Sequence, residues 1–304
     1  MIILLGPTAA GKSKLAVSLA REIKGEIISA DSMQVYRGMD IGTAKLSLEE
    51  QQEIPHYLIN VRGPDQEWTV SDFVREAQIS KSKIQSKGKL PIIVGGTGLY
   101  LWALLKGFSF PIAAANKEIR ERLEKEPLSA LYALLSTVDP KSAEKIHRND
   151  KKRIIRALEV YELTGKPITE LQRAEARELR AENMTLIGLT LPREQLYQRI
   201  EERVDQMIEK GLIEEVKDLL AKGYSKDLSS FQALGYKEAV EYLDGKWTRE
   251  QMIVELKKRT RNFARRQMTW FKRFKNVKWF EPPFDTKAIL DYINNNDKNP
   301  QTRN

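Results

Sequence analysis

A glycine-rich stretch directly behind a short apolar run limits the fold of this 304-residue chain more than any other feature. The run is Ile2–Leu5, and the stretch behind it matches the pattern G-x-x-x-x-G-K-[ST]. The residues of this phosphate loop are Gly6, Pro7, Thr8, Ala9, Ala10, Gly11, Lys12 and Ser13. A strand, loop and helix in this order turn backbone N–H groups onto phosphate oxygens at the positive end of the helix. We therefore expect Lys12 to bind the outer phosphate and Ser13 to hold Mg²⁺, so that the chain binds a polyphosphate.

The strand expected to carry a metal-holding acid does not carry one. Proteins that hydrolyse a nucleoside triphosphate usually have such an acid at the end of a second apolar strand. Here the best candidate, Leu90–Val94, ends in glycines and Thr97. Another β-prone run, Glu26–Ala30, leads into Asp31. Because loops beyond the carboxyl ends of parallel strands share one crevice, Asp31 and Thr97 can converge on the phosphate loop. Asp31 is then placed as a general base, or it only caps a turn.

The order of the predicted elements indicates the fold class. Over residues 1–110, apolar strand-like runs alternate with helical patterns, which is typical of a parallel sheet with helices on both faces. We predict an α/β fold: a P-loop NTPase-like open parallel sheet flanked by helices, with a mostly helical inserted domain. The expected parts are a catalytic core of residues 1–112 and 183–293, a helical insertion of residues 113–182, and a disordered tail of residues 294–304.

The distribution of charge favours a polyanionic partner. Lys and Arg together number 51 against 42 Asp and Glu, a net charge of +9. Between Lys257 and Lys278 there are ten basic residues and no acid. Apolar and aromatic positions recur there in steps of three and four, which indicates one long helix with a buried stripe and basic sides that contact RNA. A merely solvated helix is the alternative. The helix should begin after Thr248, which forms a capping-box pattern with Gln251.

Several absences narrow the class of protein. The chain has no cysteine, so it has no disulfide and no thiolate metal site. Its N-terminal apolar run is too short for a signal peptide, and no run approaches the ~20 residues of a membrane span. We expect a cytoplasmic protein that does not contact a membrane. His56 is expected to be a structural hydrogen-bonding residue.

Taken together, the motifs resemble those of the tRNA dimethylallyltransferases, also called tRNA isopentenyltransferases, of the bacterial type. The resemblance extends from residue 1 to about residue 280. Its most specific part is the string Asp31-Ser32-x-Gln34-x-Tyr36-Arg37 combined with Gly95-Gly96-Thr97. The other matching segments are the phosphate loop, Pro55–Leu58, Asn149–Val160, Arg199–Arg203, Met207 and Gly211–Leu212.

The resemblance implies a reaction and a role for each matching residue. A dimethylallyl group passes from dimethylallyl diphosphate to N6 of adenine 37, beside the tRNA anticodon, and diphosphate is released. Asp31 takes the N6 proton, and Thr97 and Lys12 lie at the reacting centre. Arg203, with Arg199 as a further candidate, binds the diphosphate together with the phosphate loop and Mg²⁺. The implied tRNA contacts are Asp31, Ser32, Met33, Gln34, Thr97, Arg120, Lys152, Arg153, Arg156, Gln232 and Lys237.

Two other functions fit part of the pattern. A small-molecule or nucleoside kinase would use Asp31 and Lys12, but it leaves Gly95-Gly96-Thr97 and the basic segment unexplained. An RNA-binding ATPase would account for the charge, but it needs the metal-holding acid that Leu90–Val94 lacks. We therefore interpret the chain as a monomeric transferase that acts on the anticodon stem-loop of tRNA.

Overall fold

The computed structural model describes residues 1–106, 116–175 and 184–298. They fall into two compact units. The first contains residues 1–102 and the described residues from 184 on, and the second contains residues 103–106 and 116–175. Both expected domain boundaries, between residues 112 and 113 and between residues 182 and 183, lie outside the described residues.

The described residues of the first unit form a six-stranded sheet in which neighbouring strands are parallel. The strands are β1 Ile2–Leu5, β2 Gly25–Ser29, β3 His56–Tyr57, β4 Leu90–Gly95, β5 Thr185–Leu189 and β6 Lys278–Phe280. Their order across the sheet is β3-β2-β4-β1-β5-β6. An open parallel sheet was predicted, and it is confirmed. β4 lies between β1 and β2, so the segments that follow these three strands start side by side.

The register of the central strands brings their carboxyl ends level. β1 is made only of Ile and Leu and is fully buried, as expected of a parallel strand covered on both faces. It pairs with β4 up to Leu5 opposite Gly95. β2 pairs with β4 up to Ser29 opposite Val94. The phosphate loop, Asp31 and the turn after β4 therefore begin within about two residues of the same edge of the sheet.

Helices make up most of the remaining described chain. In chain order they are α1 Lys12–Glu22, α2 Leu48–Gln51, α3 Val70–Ser86, α4 Gly98–Lys106, α5 Lys117–Lys125, α6 Leu128–Val138, α7 Pro140–Lys145, α8 Lys151–Thr164, α9 Ile168–Glu175, α10 Arg193–Glu209, α11 Leu212–Ala221, α12 Tyr236–Leu243, α13 Arg249–Phe271 and α14 Thr286–Lys298. A 3₁₀ turn, Ser229–Gln232, precedes α12. None of the described helices is both long and apolar enough to cross a membrane.

Within the described residues of the first unit, two of the apolar clusters join elements that are distant in sequence. One joins the sheet to α1 and α14 through buried residues such as Leu4, Leu19 and Ile289. The other joins α10, α11, α12 and α13 to the segment after β2, where Tyr36 packs with Tyr236. Asp31 therefore precedes a segment that is anchored on helices far along the chain.

The second unit is helical, as predicted, and has its own apolar cluster on α5, α6, α7 and α8. Glu159 of α8 is fully buried within it. Its carboxylate accepts two hydrogen bonds from Arg120 of α5, at 2.9 and 3.1 Å, and one from Arg156, at 2.6 Å. It also accepts the backbone N–H of Asn116 at 2.7 Å. A buried carboxylate needs such partners, so this network fixes α5 against α8.

Two predicted boundaries need correction. α13 begins after Thr248 with the predicted capping box, but it ends at Phe271, before Phe274, where the helical spacing of the basic segment ends. The chain turns there, and the ring of Phe274 lies 6.1 Å from that of Phe271. Disorder from Asn294 on is wrong for residues 294–298, because α14 continues to Lys298 and buries its apolar face. Residues 299–304 lie outside the described residues.

Candidate active site

A cavity open to solvent lies where β1, β2 and β4 end. The phosphate loop contributes Lys12 and Ser13 to its lining, and the turn after β2 contributes Asp31 and Gln34. Arg203 enters from α10. One cavity of the first unit therefore holds two cations and a carboxylate from three separate parts of the sequence.

The phosphate loop has the backbone conformation that its glycines permit. Gly6 has a φ of +152°, and a Cβ there would lie 2.6 Å from the carbonyl oxygen of Leu189 in β5. Gly11 has a φ of +90° and precedes the first turn of α1. Lys12 and Ser13 lie in that first turn, where backbone N–H groups have no partner within the helix. This end of α1 is built to bind an anion such as phosphate.

Two cations face the cavity without an ion pair in the described part of the chain. Among the described residues, Lys12 donates only to the carbonyl oxygen of Pro7, at 2.7 Å. Burial, with a smaller contribution from the charge of Arg203, lowers the pKa of Lys12 to about 7, although Asp31 acts in the opposite direction. Burial also lowers the pKa of Arg203, again opposed by Asp31. Because each cation disfavours the other, a ligand with more than one negative charge would stabilise both.

Asp31 uses one carboxylate oxygen for a turn. Its Oδ1 accepts the backbone N–H of Met33 at 2.9 Å and that of Gln34 at 3.3 Å. Its Oδ2 makes no hydrogen bond with the described residues. The turn-capping interpretation and the general-base interpretation therefore apply to different oxygens of the same side chain.

Thr97 connects the end of β4 to the turn that contains Asp31. Its Oγ1 accepts the backbone N–H of Ser32 at 3.1 Å and donates to the Ser32 hydroxyl at 3.4 Å. The glycines around Thr97 permit close packing. A Cβ on Gly95 would collide with the backbone of Ala30, and a Cβ on Gly98 would lie 2.6 Å from Cβ of Trp270 in α13. A metal-holding acid at the end of β4 is therefore replaced by a tight contact with neighbouring backbone.

Gln267 of α13 is a site residue that the sequence did not reveal. Its side chain is 5% exposed and lies at the cavity. Its Oε1 accepts the backbone N–H of Thr8 in the phosphate loop at 2.8 Å, and its Nε2 donates to the carbonyl oxygen of Gly96 at 2.9 Å. The sequence does place this polar residue among the mostly apolar positions of the buried stripe, and that feature could have marked it as a site residue. Gln267 joins the phosphate loop to the turn after β4.

Glu215 of α11 is a second residue that the sequence did not reveal. Its carboxylate accepts backbone N–H groups from Asp40 and Ile41, each at 2.9 Å, and from Gly42 at 3.4 Å. It also accepts the hydroxyl of Tyr236 at 2.5 Å. Glu215 thereby fixes the segment that follows Asp31.

Several predicted tRNA contacts lie in the first unit. Ser32, Met33 and Gln34 are half-buried beside Asp31. The Gln34 amide is engaged within the protein: Oε1 accepts the Ser29 hydroxyl at 3.0 Å, and Nε2 donates to the carbonyl oxygen of Thr43 at 3.3 Å. Such bonds hold the amide in one orientation at the cavity. The other predicted contacts of this unit are Gln232, which is exposed, and Lys237, which is half-buried.

The predicted tRNA contacts of the second unit differ from one another in their surroundings. Arg120 and Arg156 both bind Glu159, so each has a structural role within that unit. Lys152 and Arg153 are exposed at the start of α8, where Arg153 pairs with Asp150 at 3.3 Å. Lys152 and Arg153 are thus the members of this group that project into solvent.

Arg199 and His56 complete the set of residues singled out in the sequence. Arg199 is exposed and does not line the cavity, although it lies one helical turn before Arg203 on α10. The structure therefore gives Arg203 but not Arg199 a place beside Lys12. His56 lines the cavity, and its Nδ1 lies 2.7 Å from the carbonyl oxygen of Ile54. Burial lowers the pKa of His56 despite this bond.

The oxygen donors of the cavity suit a magnesium ion that is held mainly by its substrate. Within the described residues no group of three or more His, Cys, Asp or Glu side chains could hold a metal. Mg²⁺ typically binds one or two protein oxygens together with phosphate oxygens and water. The Ser13 hydroxyl and the Asp31 carboxylate both line the cavity, so the donor set fits an ion bound together with a diphosphate.

Comparison with known sequences agrees with this geometry. A family model described as IPP transferase matches residues 34–274. A tRNA dimethylallyltransferase of Anoxybacillus flavithermus is 47% identical over 299 residues, which cover 96% of this chain and 96% of that protein. A tRNA dimethylallyltransferase of Thermoanaerobacter sp. strain X514 is 51% identical over 286 residues, covering 92% and 91%.

Solved structures show the same similarity in three dimensions. The full-length tRNA isopentenylpyrophosphate transferase of Bacillus halodurans matches with a TM-score of 0.72 and 43% identity, over 98% of this chain and 97% of that one. A eukaryotic dimethylallyltransferase acting on tRNA matches with a TM-score of 0.85 and 31% identity, over 97% of this chain and 79% of that one.

Proposed function

The chain belongs to the IPP transferase family, the tRNA dimethylallyltransferases, and on this premise we propose that it transfers a dimethylallyl group from dimethylallyl diphosphate to N6 of adenine 37, next to the tRNA anticodon. N6 forms a bond with C1 of the dimethylallyl group. The bond between C1 and the bridging oxygen breaks, and diphosphate leaves with its electron pair. The observation that carries the proposal is the presence of Asp31, Lys12 and Arg203 in one cavity.

The phosphate loop and the two cations stabilise the leaving group. Negative charge grows on the diphosphate as the bond between C1 and oxygen breaks. Backbone N–H groups at the start of α1, together with Lys12 and Arg203, are preorganised to receive that charge. Arg203 suits this role because its planar guanidinium can bind two phosphate oxygens at once.

Asp31 accepts the proton that N6 loses. The exocyclic amine of adenine is a weak nucleophile, so a carboxylate that accepts an N6 hydrogen bond assists the attack. The turn holds Oδ1 of Asp31 through Met33 and Gln34, and Oδ2 accepts the N6 proton. Thr97 acts from behind this turn, because its hydroxyl binds Ser32.

Mg²⁺ supplies further charge stabilisation of the diphosphate when it is bound. The Ser13 hydroxyl, in the first turn of α1, would hold it together with phosphate oxygens. Ser13→Ala should therefore raise the Mg²⁺ concentration at which dimethylallyl diphosphate binding is half-maximal, a quantity that calorimetry measures without turnover.

The RNA substrate is the anticodon stem-loop of tRNA, from which the target base must leave its stack. Enzymes that act on a stacked base extract it and read its edges with polar side chains. We propose that Ser32, Met33 and Gln34, which lie beside Asp31, contact the base. Exposed Lys152 and Arg153 and the 3₁₀ turn at Gln232 provide further contacts. We propose a monomer that acts in the cytoplasm.

A transfer assay with two variants tests the assignment. Unmodified tRNA with adenine 37, labelled dimethylallyl diphosphate and Mg²⁺ are the substrates, and ATP with small nucleosides is assayed in parallel. Asp31→Asn keeps an oxygen for the turn, so it should lower turnover by about 10² to 10⁴ while the diphosphate affinity changes little. Lys12→Ala should lower both turnover and affinity.

Two outcomes would contradict the proposal. Equal losses of diphosphate affinity in Asp31→Asn and Lys12→Ala would reject Asp31 as the general base. Transfer of phosphate from ATP to a nucleoside, with no label in tRNA, would identify a kinase.

A further inference from the structure

The cavity of the candidate active site has a polar end and an apolar end. The phosphate loop and Arg203 belong to the polar end. What we call the apolar end is lined by Ala16, Ile27, Ala44, Leu46 and Ile59. Ala16 lies one helical turn after Lys12 on α1, and Ile27 is the middle residue of β2. The apolar end therefore lies behind the phosphate loop, where it suits the hydrocarbon part of an allylic diphosphate.

His56 brings a polar ring to the apolar end. It lies opposite Ile27 in the pairing of β3 with β2, so both side chains lie on the same face of the sheet, and both line the cavity. Ser29 shares this face two residues further along β2, but its hydroxyl already donates to Gln34 at 3.0 Å. The imidazole of His56 is thus a polar group among apolar neighbours.

The hydrogen bond of His56 determines which ring nitrogen carries the proton. Nδ1 lies 2.7 Å from the carbonyl oxygen of Ile54, and because a carbonyl oxygen only accepts, Nδ1 must be the protonated nitrogen. Burial lowers the pKa of His56, so the ring is neutral at neutral pH and its Nε2 is an acceptor. Nε2 makes no hydrogen bond with the described residues. The structural bond expected from the sequence therefore uses one nitrogen and leaves the other without a partner.

An acceptor without a partner has a consequence for the ligand that fills the apolar end. A purely hydrocarbon chain would displace water from Nε2 of His56 and offer no hydrogen bond in return, which is unfavourable for a polar atom. A chain with a hydroxyl group at its far end would replace that water with its own O–H donor. The arrangement around His56 therefore favours a hydroxylated chain over what its apolar neighbours alone would select.

We propose that the protein also uses a hydroxylated substrate, dimethylallyl diphosphate with a hydroxyl group on a terminal methyl carbon, and that this hydroxyl donates to Nε2 of His56. The inference rests on the proposed function, because the transfer takes place in the same cavity. N6 of the adenine forms a bond with C1, the bond between C1 and oxygen breaks, and diphosphate leaves with the electron pair. Asp31 takes the N6 proton, and the hydroxyl group stays on the chain unchanged.

Competition between the two substrates in one reaction tests the proposal. Protein, Mg²⁺ and unmodified tRNA with adenine 37 are mixed with equal, excess concentrations of the hydroxylated substrate and dimethylallyl diphosphate. Mass spectrometry of the digested tRNA then measures the ratio of hydroxylated to plain product, which equals the ratio of the two kcat/KM values. For the wild type we expect a ratio of about one or more, because the bond to His56 offsets the desolvation of the hydroxyl.

Variants of His56 assign the preference to its free nitrogen. His56→Phe keeps a planar ring but has no acceptor, so the product ratio should fall by about three- to tenfold. His56→Gln restores an amide that can accept and should stay within about threefold of the wild type. The ratio does not depend on the fraction of active protein, so a general loss of stability does not change it. The wild-type and His56→Gln ratios test the proposal even if His56→Phe does not fold.

The other histidine of the chain provides a matched control. His147 is exposed and lies in the second unit, outside the residues that line the cavity. His147→Phe makes the same chemical change as His56→Phe and should keep the wild-type product ratio. An equal fall of the ratio in both variants would reject the assignment of the preference to His56.

The remaining outcomes separate this proposal from the one it rests on. If wild-type protein transferred only the plain dimethylallyl group to tRNA, the hydroxylated substrate would be rejected and the transferase assignment would stand. A wild-type ratio retained in His56→Phe would reject the role of Nε2. If wild-type protein transferred neither group to tRNA, the proposed function itself would fail.

Discussion

At the scale of single residues, the lowered pKa of Lys12 links diphosphate binding to proton uptake. Burial lowers this pKa to about 7, whereas a bound diphosphate would favour the charged ammonium. Above pH 7.5 the free protein is mostly deprotonated at Lys12, so binding must take up a proton. Affinity for dimethylallyl diphosphate should therefore fall with rising pH by up to about tenfold per unit until the pKa of the complex is reached.

Calorimetry in buffers of different ionisation enthalpy measures this uptake. At pH 8 we expect about 0.9 proton per diphosphate bound, from a free-protein pKa of about 7. Lys12→Arg keeps a charge that does not titrate in this range and should take up almost none. A wild-type enthalpy that is independent of the buffer would show that Lys12 is already protonated in the free protein.

Gln267 provides a second residue-scale prediction. Gln267→Leu leaves the Thr8 N–H and the Gly96 carbonyl without their partner, and each such loss in a buried site costs about 1–3 kcal/mol. We expect a lower thermal midpoint and a turnover reduced by tenfold or more. Gln267→Glu can still accept from Thr8 but cannot donate to Gly96, and its negative charge lies at the cavity in which we propose that the diphosphate binds.

The two Gln267 variants should therefore differ in their kinetic constants. Gln267→Glu should raise the KM for dimethylallyl diphosphate more than Gln267→Leu, because only the glutamate repels the substrate. If both variants changed only the thermal midpoint and left kcat and KM unchanged, Gln267 would be a core residue with no role in positioning the phosphate loop.

The residues that sequence analysis found and missed differ in the range of their contacts. Lys12 and Asp31 stand in short strings whose spacing carries the chemistry, so a reader of the sequence can find them. Gln267 accepts and donates hydrogen bonds across 259 and 171 positions of the chain, and Glu215 accepts three across 173–175 positions. No local pattern encodes such a bond. Each is a polar side chain whose partner is known only once the fold is known.

At the scale of elements, a buried carboxylate fixes the start of β2. Glu26 is fully buried, and its carboxylate accepts the Tyr57 hydroxyl at 2.7 Å, Lys89 at 2.7 Å and Lys87 at 3.0 Å. Burial alone would raise its pKa, but the hydrogen bonds from Lys89, Tyr57 and Lys87 outweigh burial and lower the pKa to about 2. The carboxylate therefore ties β2 to β3 and to the turn before β4.

Glu26→Gln should destabilise the protein in a pH-dependent way. Because the folded-state pKa lies below the ordinary value of 4.5, the stabilisation is complete above about pH 4.5 and is lost as the pH falls towards 2. At pH 7 we expect the variant to lose about 2–3 kcal/mol in the free energy of unfolding. The difference between the variant and the wild type should become smaller below pH 4.5. Urea unfolding between pH 3.5 and 7 measures this difference.

A matched carboxylate on the surface provides the control. Glu22, at the end of α1, is exposed and forms no ion pair in the described regions, so Glu22→Gln should change stability by less than about 0.5 kcal/mol at every pH. A loss in Glu26→Gln that stayed constant from pH 7 to 3.5 would contradict the charge-based explanation and point to altered packing.

Elements were predictable where a periodic pattern was long, and less so at their ends. The runs Ile2–Leu5 and Leu90–Val94 were assigned as strands from their composition, and the structure confirms both. Thr248 correctly marked the start of α13. The end of α13 at Phe271 and the extension of α14 to Lys298 depend on packing against distant residues, which local composition does not show.

At the scale of the whole molecule, net charge describes the binding surface poorly. The net charge of +9 and the ten cations of the basic segment were read as one RNA-binding feature. The structure shows that Lys257, Arg259 and Arg261 are neutralised by acids of α10 and α12. Those acids lie outside the basic segment, so only the fold shows which cations remain available. A polyanion partner could be predicted from the sequence, but its docking surface could not.

The separate cores of the two units give the final prediction, which concerns how the molecule opens. Leu135 is fully buried in the apolar cluster of the second unit, and Leu19 is fully buried in a cluster of the first. A buried leucine replaced by alanine typically costs 2–5 kcal/mol, and a unit with its own core can open without global unfolding. Leu135→Ala should therefore speed amide hydrogen exchange in residues 116–175 and leave β1 and α1 protected, whereas Leu19→Ala should do the reverse. Mass spectrometry of peptides from the exchanged protein measures the exchange of each unit separately. If Leu135→Ala accelerated exchange equally in β1, the two units would unfold as one, and their separate cores would not act as separate cooperative units.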